Sequence, residues 1–367
     1  PLRRQRQMCI RDSNKEEYLD VTGQDMPEGM GSMNSTIPFE NGGYDLWGEG
    51  WSVFAQVQYS YRNKYTLTAS FRADASSKFA PRNRVGYFPS VAASWVVSHE
   101  NWLRDAAWLD LLKLRASYGE TGNSSIGSYL YLDSYSFASK YHNKVTAIPV
   151  RKANPYLGWE TANMTGVGLD ASFLGRIDLT LDFYNIINSE LLLNVPLSPS
   201  TGFFDQTANA GKVRNRGFEV ALGYSNTWGK FSWDSNYTLS ANKNKILSLA
   251  DDVVNPETGE HFSVDQLDMG GLADARFILR EGGTLGDFYS RIDLKRDSNG
   301  AVYINEKGEI ASESITDVNS YIKLGSVLPD ANMAWRNDFR WRNFNFGFMV
   351  SARLGGVVFS RTQAMLD

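Results

Sequence analysis

The chain has 367 residues, with 37 basic and 41 acidic side chains and a net charge of -4. This balance excludes a nucleic-acid binder that relies on bulk positive charge. No run of 18 consecutive apolar residues occurs, which excludes an ordinary membrane-spanning helix. A membrane-spanning β-barrel is not excluded, because its strands alternate apolar with polar residues.

The first residues, PLRRQRQMCIRDS, are rich in arginine and lack the apolar stretch of a secretory signal peptide. We therefore expect residues 1–13 to be a non-native leader that resembles translated adapter sequence. Residues 14–50 are expected to be a loop or a preceding barrel segment. The chain stops without a closing strand, so we expect an internal piece of a larger protein.

Strict alternation of apolar and polar residues begins at Lys64, in KYTLTASFRAD. The same period of two returns in RIDLTLDF from Arg176, in FSWDSNYTLSA from Phe231 and in NFNFGFMVSARL from Asn343. A period of two is typical of a strand with one apolar face. These segments therefore predict strands that separate two different environments.

The connections between the predicted strands fall into two classes. The short ones are residues 61–63, 174–176, 227–230 and 342–343. They are too short for crossover helices, so neighbouring strands must be antiparallel. The long polar ones are residues 75–84, 120–160, 196–211 and 247–275. Short turns at one end and long loops at the other are typical of outer-membrane barrels, and the spacing predicts about 12 to 14 strands.

The predicted fold class is all-β, an antiparallel transmembrane β-barrel of which this chain forms part. Polar alternates are expected to face the lumen: Arg72, Asp74, Asp178, Asp182, Asp234, Asn236, Arg336, Asp338 and Arg340. Apolar alternates are expected to face lipid: Tyr65, Leu67, Phe71, Leu179, Leu181, Phe183, Trp233, Phe346 and Phe348. Aromatic residues near strand ends, including Phe88 and Trp95, are expected to form interfacial girdles.

A soluble carbohydrate-binding β-protein is the alternative that periodicity alone leaves open, because its apolar faces would form a sandwich core. Aromatic residues in the longest connection, Tyr135, Tyr141, Tyr156 and Trp159, could then stack on a sugar ring. Packing within the loop, or a place in an interfacial girdle, is the favoured interpretation of these four residues.

Catalytic chemistry is not indicated. The only cysteine is Cys9, and the three histidines, His99, His142 and His261, lie far apart in sequence. Disulfide, thiolate-metal and helical metal motifs are therefore excluded or disfavoured. Gly166, at the start of a G-x-G-x-x-A match, lies inside an alternating strand rather than before a helix. We predict no catalytic, metal-binding or cofactor-binding residue, and no enzyme.

Several long motifs appear in one consistent order. They are YRNKYTLTASFRADASSKFAPRNRVGYFPS from Tyr61, LKLRASYGETGN from Leu112, NPYLGWETANMTGVGLDASF from Asn154, GKVRNRGFEVAL from Gly211 and GGVVFSRTQAMLD from Gly355. Together they resemble the SusC/RagA family of TonB-dependent outer-membrane transporters from about Trp51 to Asp367. The resemblance implies that residues 51–367 belong to the receptor barrel, with the N-terminal plug and the last strands missing.

The resemblance also implies a function. Such transporters form a barrel of roughly 22 strands around a plug, lie in the outer membrane of Gram-negative bacteria, and take up oligosaccharides or peptides. Their expected partners are a SusD-like surface lipoprotein, the TonB complex acting through the plug, the cargo and the lipid bilayer. No nucleic acid is expected as a partner, and the long loops would meet the lid and the ligand.

Overall fold

The structure is a computed structural model that describes residues 3–4, 8–24, 37–141, 144–197, 201–254, 261–264, 266–272, 274–306 and 308–360. Side chains are described from residue 48 onward, except between 136 and 147, between 251 and 262, and at 272. Within these ranges the chain forms β-strands and short 3-10 turns. The 3-10 turns lie at Pro81–Asn83, Val97–His99 and Val318–Ser320.

The strands follow one another along the whole described chain. The first twelve are β1 Arg3–Arg4, β2 Met8–Gln24, β3 Ile37–Tyr61, β4 Tyr65–Ser76, β5 Val85–Val96, β6 Leu109–Asn123, β7 Ser134–Tyr141, β8 Lys144–Arg151, β9 Glu160–Phe173, β10 Ile177–Ser189, β11 Leu192–Pro196 and β12 Asp205–Asn209. The next twelve are β13 Lys212–Trp228, β14 Phe231–Ser248, β15 Ala250–Val254, β16 His261–Val264, β17 Gln266–Leu272, β18 Ala275–Arg280, β19 Asp287–Ser290, β20 Ile292–Leu294, β21 Ser312–Ser314, β22 Ile322–Ser326, β23 Ala331–Trp341 and β24 Phe344–Leu354.

One sheet of 12 strands dominates the fold, in the order β1-β3-β4-β5-β6-β9-β10-β13-β14-β23-β24, with β2 also paired to β3. Its strand pairs are antiparallel throughout. The predicted all-β antiparallel fold and its strand number are therefore confirmed. The sheet is not closed within the described residues, so it represents part of a barrel wall.

Residues that stand directly opposite each other across antiparallel strands share a face. One apolar row can be followed across the sheet, and it contains Trp95, Leu114, Leu169, Leu181, Val220, Leu239, Met333 and Ala352. The neighbouring row contains Ser94, Arg115, Gly168, Asp182, Glu219, Ser240, Asn332 and Arg353. The sheet thus has one apolar face and one polar face along its whole width.

The two ends of the sheet differ in their connections. At one end, tight turns join β3 to β4, β9 to β10, β13 to β14 and β23 to β24. Gly175 and Gly229 adopt positive φ angles of 59° and 60° in two of these turns. Glycine reaches this region without the steric penalty of a Cβ atom. The predicted tight antiparallel hairpins are therefore confirmed, and we call this the short-turn end.

The opposite end carries the long connections, and the sequence pattern describes them incompletely. Segments predicted as polar loops contain the hairpins β7–β8 and β15–β16, and also β12, which pairs with β11 just before the predicted loop. A four-stranded sheet, β17-β18-β19-β22, and the hairpin β20–β21 lie between β14 and β23. A cluster that includes Val213, Ile246 and Leu279 packs this small sheet against the ends of β13 and β14. We call this the long-connection end.

The start of the chain continues the main sheet. β2 pairs with β3 from Met8↔Phe54 to Gln24↔Ile37, and β1 pairs with β3 at Arg3↔Gln58. Strands therefore occupy parts of both residues 1–13 and residues 14–50. The boundary between leader and barrel stays a prediction.

Candidate functional site

The polar face of the sheet is the candidate functional surface. The register places all nine residues predicted to face the lumen on this face, and none of the nine is buried. The same register places all nine residues predicted to face lipid on the apolar face. The chain therefore brings each predicted set together on a single surface.

An ion bridge joins three strands at the centre of the polar face. Arg115 of β6 donates from Nε and Nη2 to Asp170 of β9, at 3.0 and 3.1 Å, and from Nη2 to Asp182 of β10 at 2.9 Å. Gly168 lies between Arg115 and Asp182 in register. A Cβ there would lie 2.5 Å from Asp182 Oδ1 and 2.7 Å from Arg115 Cζ, so the glycine leaves room for the bridge. Sequence analysis identified Asp182 but missed Arg115 and Asp170.

Other charges on the polar face form pairs within one strand. Arg72 Nε lies 2.7 Å from a carboxylate oxygen of Asp74, and Arg336 Nε lies 2.7 Å from Asp338 Oδ2. Residues two apart in a strand point to the same face, which makes such pairs possible. Because both arginine side chains are largely exposed to solvent, the pairs contribute little to stability but organise the charge of the surface.

A wide concavity of about 1140 Å³ lies at the long-connection end of β3 to β6. Its lining combines charged residues such as Arg72 and Asp74 with hydroxyl groups of Ser70 and Ser90 and the ring of Trp159. A second concavity of about 610 Å³ lies beside the ion bridge. Such mixed polar and aromatic surfaces offer hydrogen bonds and ring contacts to a hydrated ligand.

The first concavity is bordered by an inner aromatic cluster of Phe79, Phe88, Leu157 and Trp159. The Trp159 ring lies 4.8 Å from the Phe79 ring and 5.4 Å from the Phe88 ring, centroid to centroid. Its indole Nε1 donates to the carbonyl oxygen of Arg84 at 3.0 Å. Phe79 and Leu157 are fully buried. Packing between loops is therefore the role that the structure assigns to Trp159.

The structure corrects one expectation about the aromatic residues. Phe88 was expected in an interfacial girdle, but it stands opposite Arg72, a polar-face position, and is buried beside Trp159. That expectation was wrong because Tyr87 occupies the apolar-face position. Tyr135 and Tyr156 are exposed on the long connections, and the side chain of Tyr141 lies outside the described residues.

Large side chains on the apolar face are only partly covered by protein. Phe183 and Phe346 are 59% and 64% exposed, and Tyr65, Leu67 and Phe71 are similarly bare. Exposed apolar surface of this extent marks contact with another apolar phase or partner. The assignment of this face to lipid stays a prediction.

Two polar side chains interrupt the apolar face near the short-turn end, and the sequence pattern did not reveal them. Asn337 accepts a hydrogen bond from Trp233 Nε1, and Ser235 accepts one from Trp335 Nε1, both at 3.0 Å. The register pairs Ser235 with Asn337 directly. The two buried polar side chains thus serve as hydrogen-bond acceptors for two indole N–H groups on the apolar face.

At the short-turn end, a cluster around Glu100 joins the connection after β5 to the β3–β4 turn and to the ends of β4 and β5. Glu100 accepts hydrogen bonds from Tyr65 Oη at 2.6 Å, Lys64 Nζ at 3.0 Å and Trp95 Nε1 at 3.2 Å. These donors, Tyr65 foremost, lower the pKa of Glu100 from its ordinary value to about 2. The carboxylate therefore stays charged over the physiological pH range.

The described part of the chain holds no group of three or more histidine, cysteine, aspartate or glutamate residues placed to bind a metal ion. Among those same residues, no helix has the length and apolar character needed to cross a membrane. The DSNG segment that begins at Asp297 forms a tight turn, in which Gly300 N donates to Asp297 O at 3.0 Å.

The chain is similar in sequence to a known family of receptors and to individual members of it. Residues 12–355 match the model of a family described as TonB dependent receptor-like, beta-barrel. The chain is 32% identical over 330 residues to TonB-dependent receptor P3 of Formosa agariphila, covering 85% of this chain and 32% of that protein. It is 30% identical over 331 residues to TonB-dependent receptor SusC of Bacteroides thetaiotaomicron, covering 84% and 31%.

The fold is also similar to a solved structure. The structure of the RagAB peptide transporter matches with a TM-score of 0.71 and 18% identity, covering 94% of this chain and 41% of that chain. The chain thus spans about a third of the length of the curated relatives, as the coverage of 32% and 31% shows.

Proposed function

The chain belongs to the TonB-dependent receptor-like β-barrel family, and on that basis we propose that it forms part of the wall of a SusC/RagA-type nutrient importer. The family lies in the outer membrane of Gram-negative bacteria, so the chain is an outer-membrane protein. That location sets aside the soluble carbohydrate-binding alternative. No covalent chemistry is required of the chain in this role.

The single observation that carries the proposal is the separation of the two faces across the sheet. In a membrane barrel, outward side chains contact hydrocarbon and inward side chains contact water or a plug. The apolar row through Leu181 and Val220 would then face lipid, while the row through Arg115 and Asp182 would line the lumen. Charged groups in the lumen would stay hydrated and could hydrogen-bond a plug.

The proposed domain boundaries follow from the same assignment. We assign residues 51–367 to the barrel, residues 14–50 to a loop or a preceding barrel segment, and residues 1–13 to a leader. The long-connection end would face the cell exterior, and the tight turns would face the periplasm. A SusD-like lipoprotein would then cover the long connections, and the TonB complex would act through a plug.

The proposed cargo is an oligosaccharide or a peptide. The concavity near Arg72, Asp74 and Trp159 offers charges, hydroxyl groups and an aromatic edge, which suit hydrated polymers of either type. Uptake by this route would consume the proton-motive force rather than depend on diffusion. The SusD-like partner would set which cargo reaches the lumen.

Uptake in intact cells tests the proposal. Cells with and without the receptor gene would be given fluorescent oligosaccharide and oligopeptide mixtures, with and without a protonophore. We expect one mixture to enter only with the gene and without the protonophore, and a surface lipoprotein to co-purify with the receptor. Equal uptake in both strains would overturn the proposal, and recovery of the receptor in the aqueous fraction would overturn the membrane assignment beneath it.

A further inference from the structure

Five basic residues gather on the apolar face where β13 and β14 approach the long-connection end. We call them the outer basic cluster, and they are Lys212, Arg214, Arg216, Lys243 and Lys245. Register places Arg216 opposite Lys243 and Arg214 opposite Lys245. Arg216 and Lys243 each lie two residues along the strand from the apolar-face pair Phe218 and Ala241, and Arg214 and Lys245 lie two residues further. Because side chains alternate along a strand, both basic pairs share the apolar face.

The position of the outer basic cluster matches the edge of a membrane. On β13, every apolar-face residue from Trp228, at the short-turn end, to Phe218 is uncharged. Arg216 is the next residue on that face toward the long-connection end. Ten residues at ~3.4 Å each, tilted by about 40°, span roughly 26 Å, the height of the apolar band of a membrane barrel. On β14 the same span runs from Phe231 to Ala241, and Lys243 follows. The cluster therefore begins where the hydrocarbon would end.

The charges of β13 and β14 are divided between the two faces. Their acidic residues, Glu219 and Asp234, occupy polar-face positions, whereas the five basic residues occupy the apolar face. At the same level on β10, the apolar face carries the uncharged residues Asn185 and Ile187. The basic character is thus confined to two neighbouring strands.

The positive charges of the outer basic cluster are not neutralised within the part of the chain that the structure describes. Like charges directly opposite each other across two strands are destabilising. Among the described residues, no carboxylate forms an ion pair with any of the five. Asn185 Oδ1 accepts from Arg216 Nε at 2.9 Å, which holds the guanidinium in place but does not neutralise it. An external anion would relieve the repulsion.

We propose that the outer basic cluster binds the phosphate group of an anionic lipid headgroup in the outer leaflet of the membrane. Opposite residues lie about 5 Å apart and successive ones on a strand about 7 Å apart. Four long basic side chains at that spacing can converge on one phosphate, and arginine can do so with two hydrogen bonds. A lipid supplies both the phosphate and the acyl chains that would cover Phe218 and its neighbours. This inference rests on the lipid-facing assignment made above.

Native mass spectrometry of the complete receptor in detergent tests the site. The probes are phosphorylated lipid A, lipid A stripped of phosphate, and inorganic phosphate alone. The test variant is Lys243→Gln with Lys245→Gln, and a second variant adds Arg214→Gln and Arg216→Gln. The matched control is Arg62→Gln with Arg342→Gln, which removes two charges from turns at the short-turn end.

We expect phosphorylated lipid A to bind the wild type and the control equally, and the double variant at least tenfold more weakly. Without lipid, the double variant should be at least as stable as the wild type, because the repulsion is reduced; this also shows that it folds. Equal binding by the variants and the wild type, or equal binding of the dephosphorylated lipid, would overturn the site. So would equal affinity for inorganic phosphate alone. A wild type that fails to partition into membranes would instead refute the facing assignment.

Discussion

Aromatic side chains differ in exposure between the two faces of the sheet. On the apolar face, Phe183 and Phe346 stand largely bare, with more than half of each side chain exposed. Beside the polar face, Phe79 and Phe88 are buried under Trp159 and the loops that carry it. The same residue type is therefore left uncovered on one side and enclosed by protein on the other.

The proposed lipid-facing and lumen-facing assignment accounts for this difference. Burying apolar surface away from water is favourable by about 25 cal/mol per Å², so an aromatic ring in contact with water gains from protein cover. A ring in contact with hydrocarbon gains little from such cover, because the lipid is already apolar. If the polar face meets water and the apolar face meets lipid, as proposed, the rings on the polar side need protein cover and the rings on the apolar side do not.

The largest expected effect comes from the inner aromatic cluster, whose rings are enclosed by protein. Phe79→Ala should lower the free energy of unfolding by about 3–5 kcal/mol, because it leaves a cavity under Trp159 in a fully buried site. Denaturant unfolding of the receptor in detergent measures the change. Tyr156→Ala, at a 57% exposed ring on a loop of the same cluster, is the control and should stay within about 0.5 kcal/mol. Equal losses would mean that the cluster is not packed as described.

The next prediction compares arginine substitutions at two adjacent residues of β10 that lie on opposite faces of the sheet. Leu179 lies near the middle of the apolar band, opposite Leu222, while Thr180 faces the lumen side beside Asp170. Leu179→Arg should cost about 2–4 kcal/mol in a bilayer, because the cation would enter hydrocarbon. Thr180→Arg should be nearly neutral, since the new cation would stay on the polar face, where it remains hydrated. Unfolding in lipid vesicles measures both, and the reverse order would refute the facing assignment.

The sequence predicts the strands and the two faces because these depend on local alternation, which every residue from Tyr65 to Phe71 obeys. It fails where a position depends on distant contacts. In GYFPS both Tyr87 and Phe88 are aromatic, so alternation does not decide which one faces inward. The choice is made by Trp159, 71 positions away in sequence. Arg115 was missed for a similar reason, because its two partners lie on other strands.

A smaller effect tests how closely the inner aromatic cluster fits. Pairing of β5 with β6 begins at Ser90↔Gly119, and Phe88 lies beyond it, next to Gly122. A Cβ at Gly122 would lie 2.8 Å from Trp159 Cε3 and closer still to the Phe88 ring. Gly122→Ala should therefore cost about 1–3 kcal/mol through overpacking.

Gly223→Ala is the matched control for that substitution. It lies in the interior of β13, where the nearest atom to a new Cβ is Asn236 Oδ1 at 3.4 Å, an ordinary contact. Alanine there should be neutral or slightly stabilising, because it reduces the entropy of the unfolded chain. If both alanine variants behave alike in denaturant unfolding, the ring of Phe88 does not occupy the space next to Gly122.

The smallest effect lies at the short-turn end, where the Glu100 carboxylate accepts three side-chain hydrogen bonds. The pKa of Glu100 is lowered to about 2, so folding favours its charged form. Its contribution to stability is then fully present above its ordinary pKa of 4.5 and is lost as the pH falls toward 2. Glu100→Gln lacks this titration. The difference in unfolding free energy between wild type and variant should therefore be constant near pH 7, shrink below pH ~4.5 and vanish near pH ~2.

Tryptophan fluorescence during denaturant unfolding at each pH provides the measurement. Tyr65→Phe, which removes the strongest donor to Glu100, should make the decline smaller and end it at a higher pH, while keeping the aromatic ring that stacks on Trp95. Glu313→Gln, at an exposed position in β21, serves as the matched control and should follow the wild type at every pH. A pH-independent difference for Glu100→Gln would mean that the three donors do not hold the carboxylate, and that the short-turn end depends on the apolar contacts of Tyr65 and Trp95 alone.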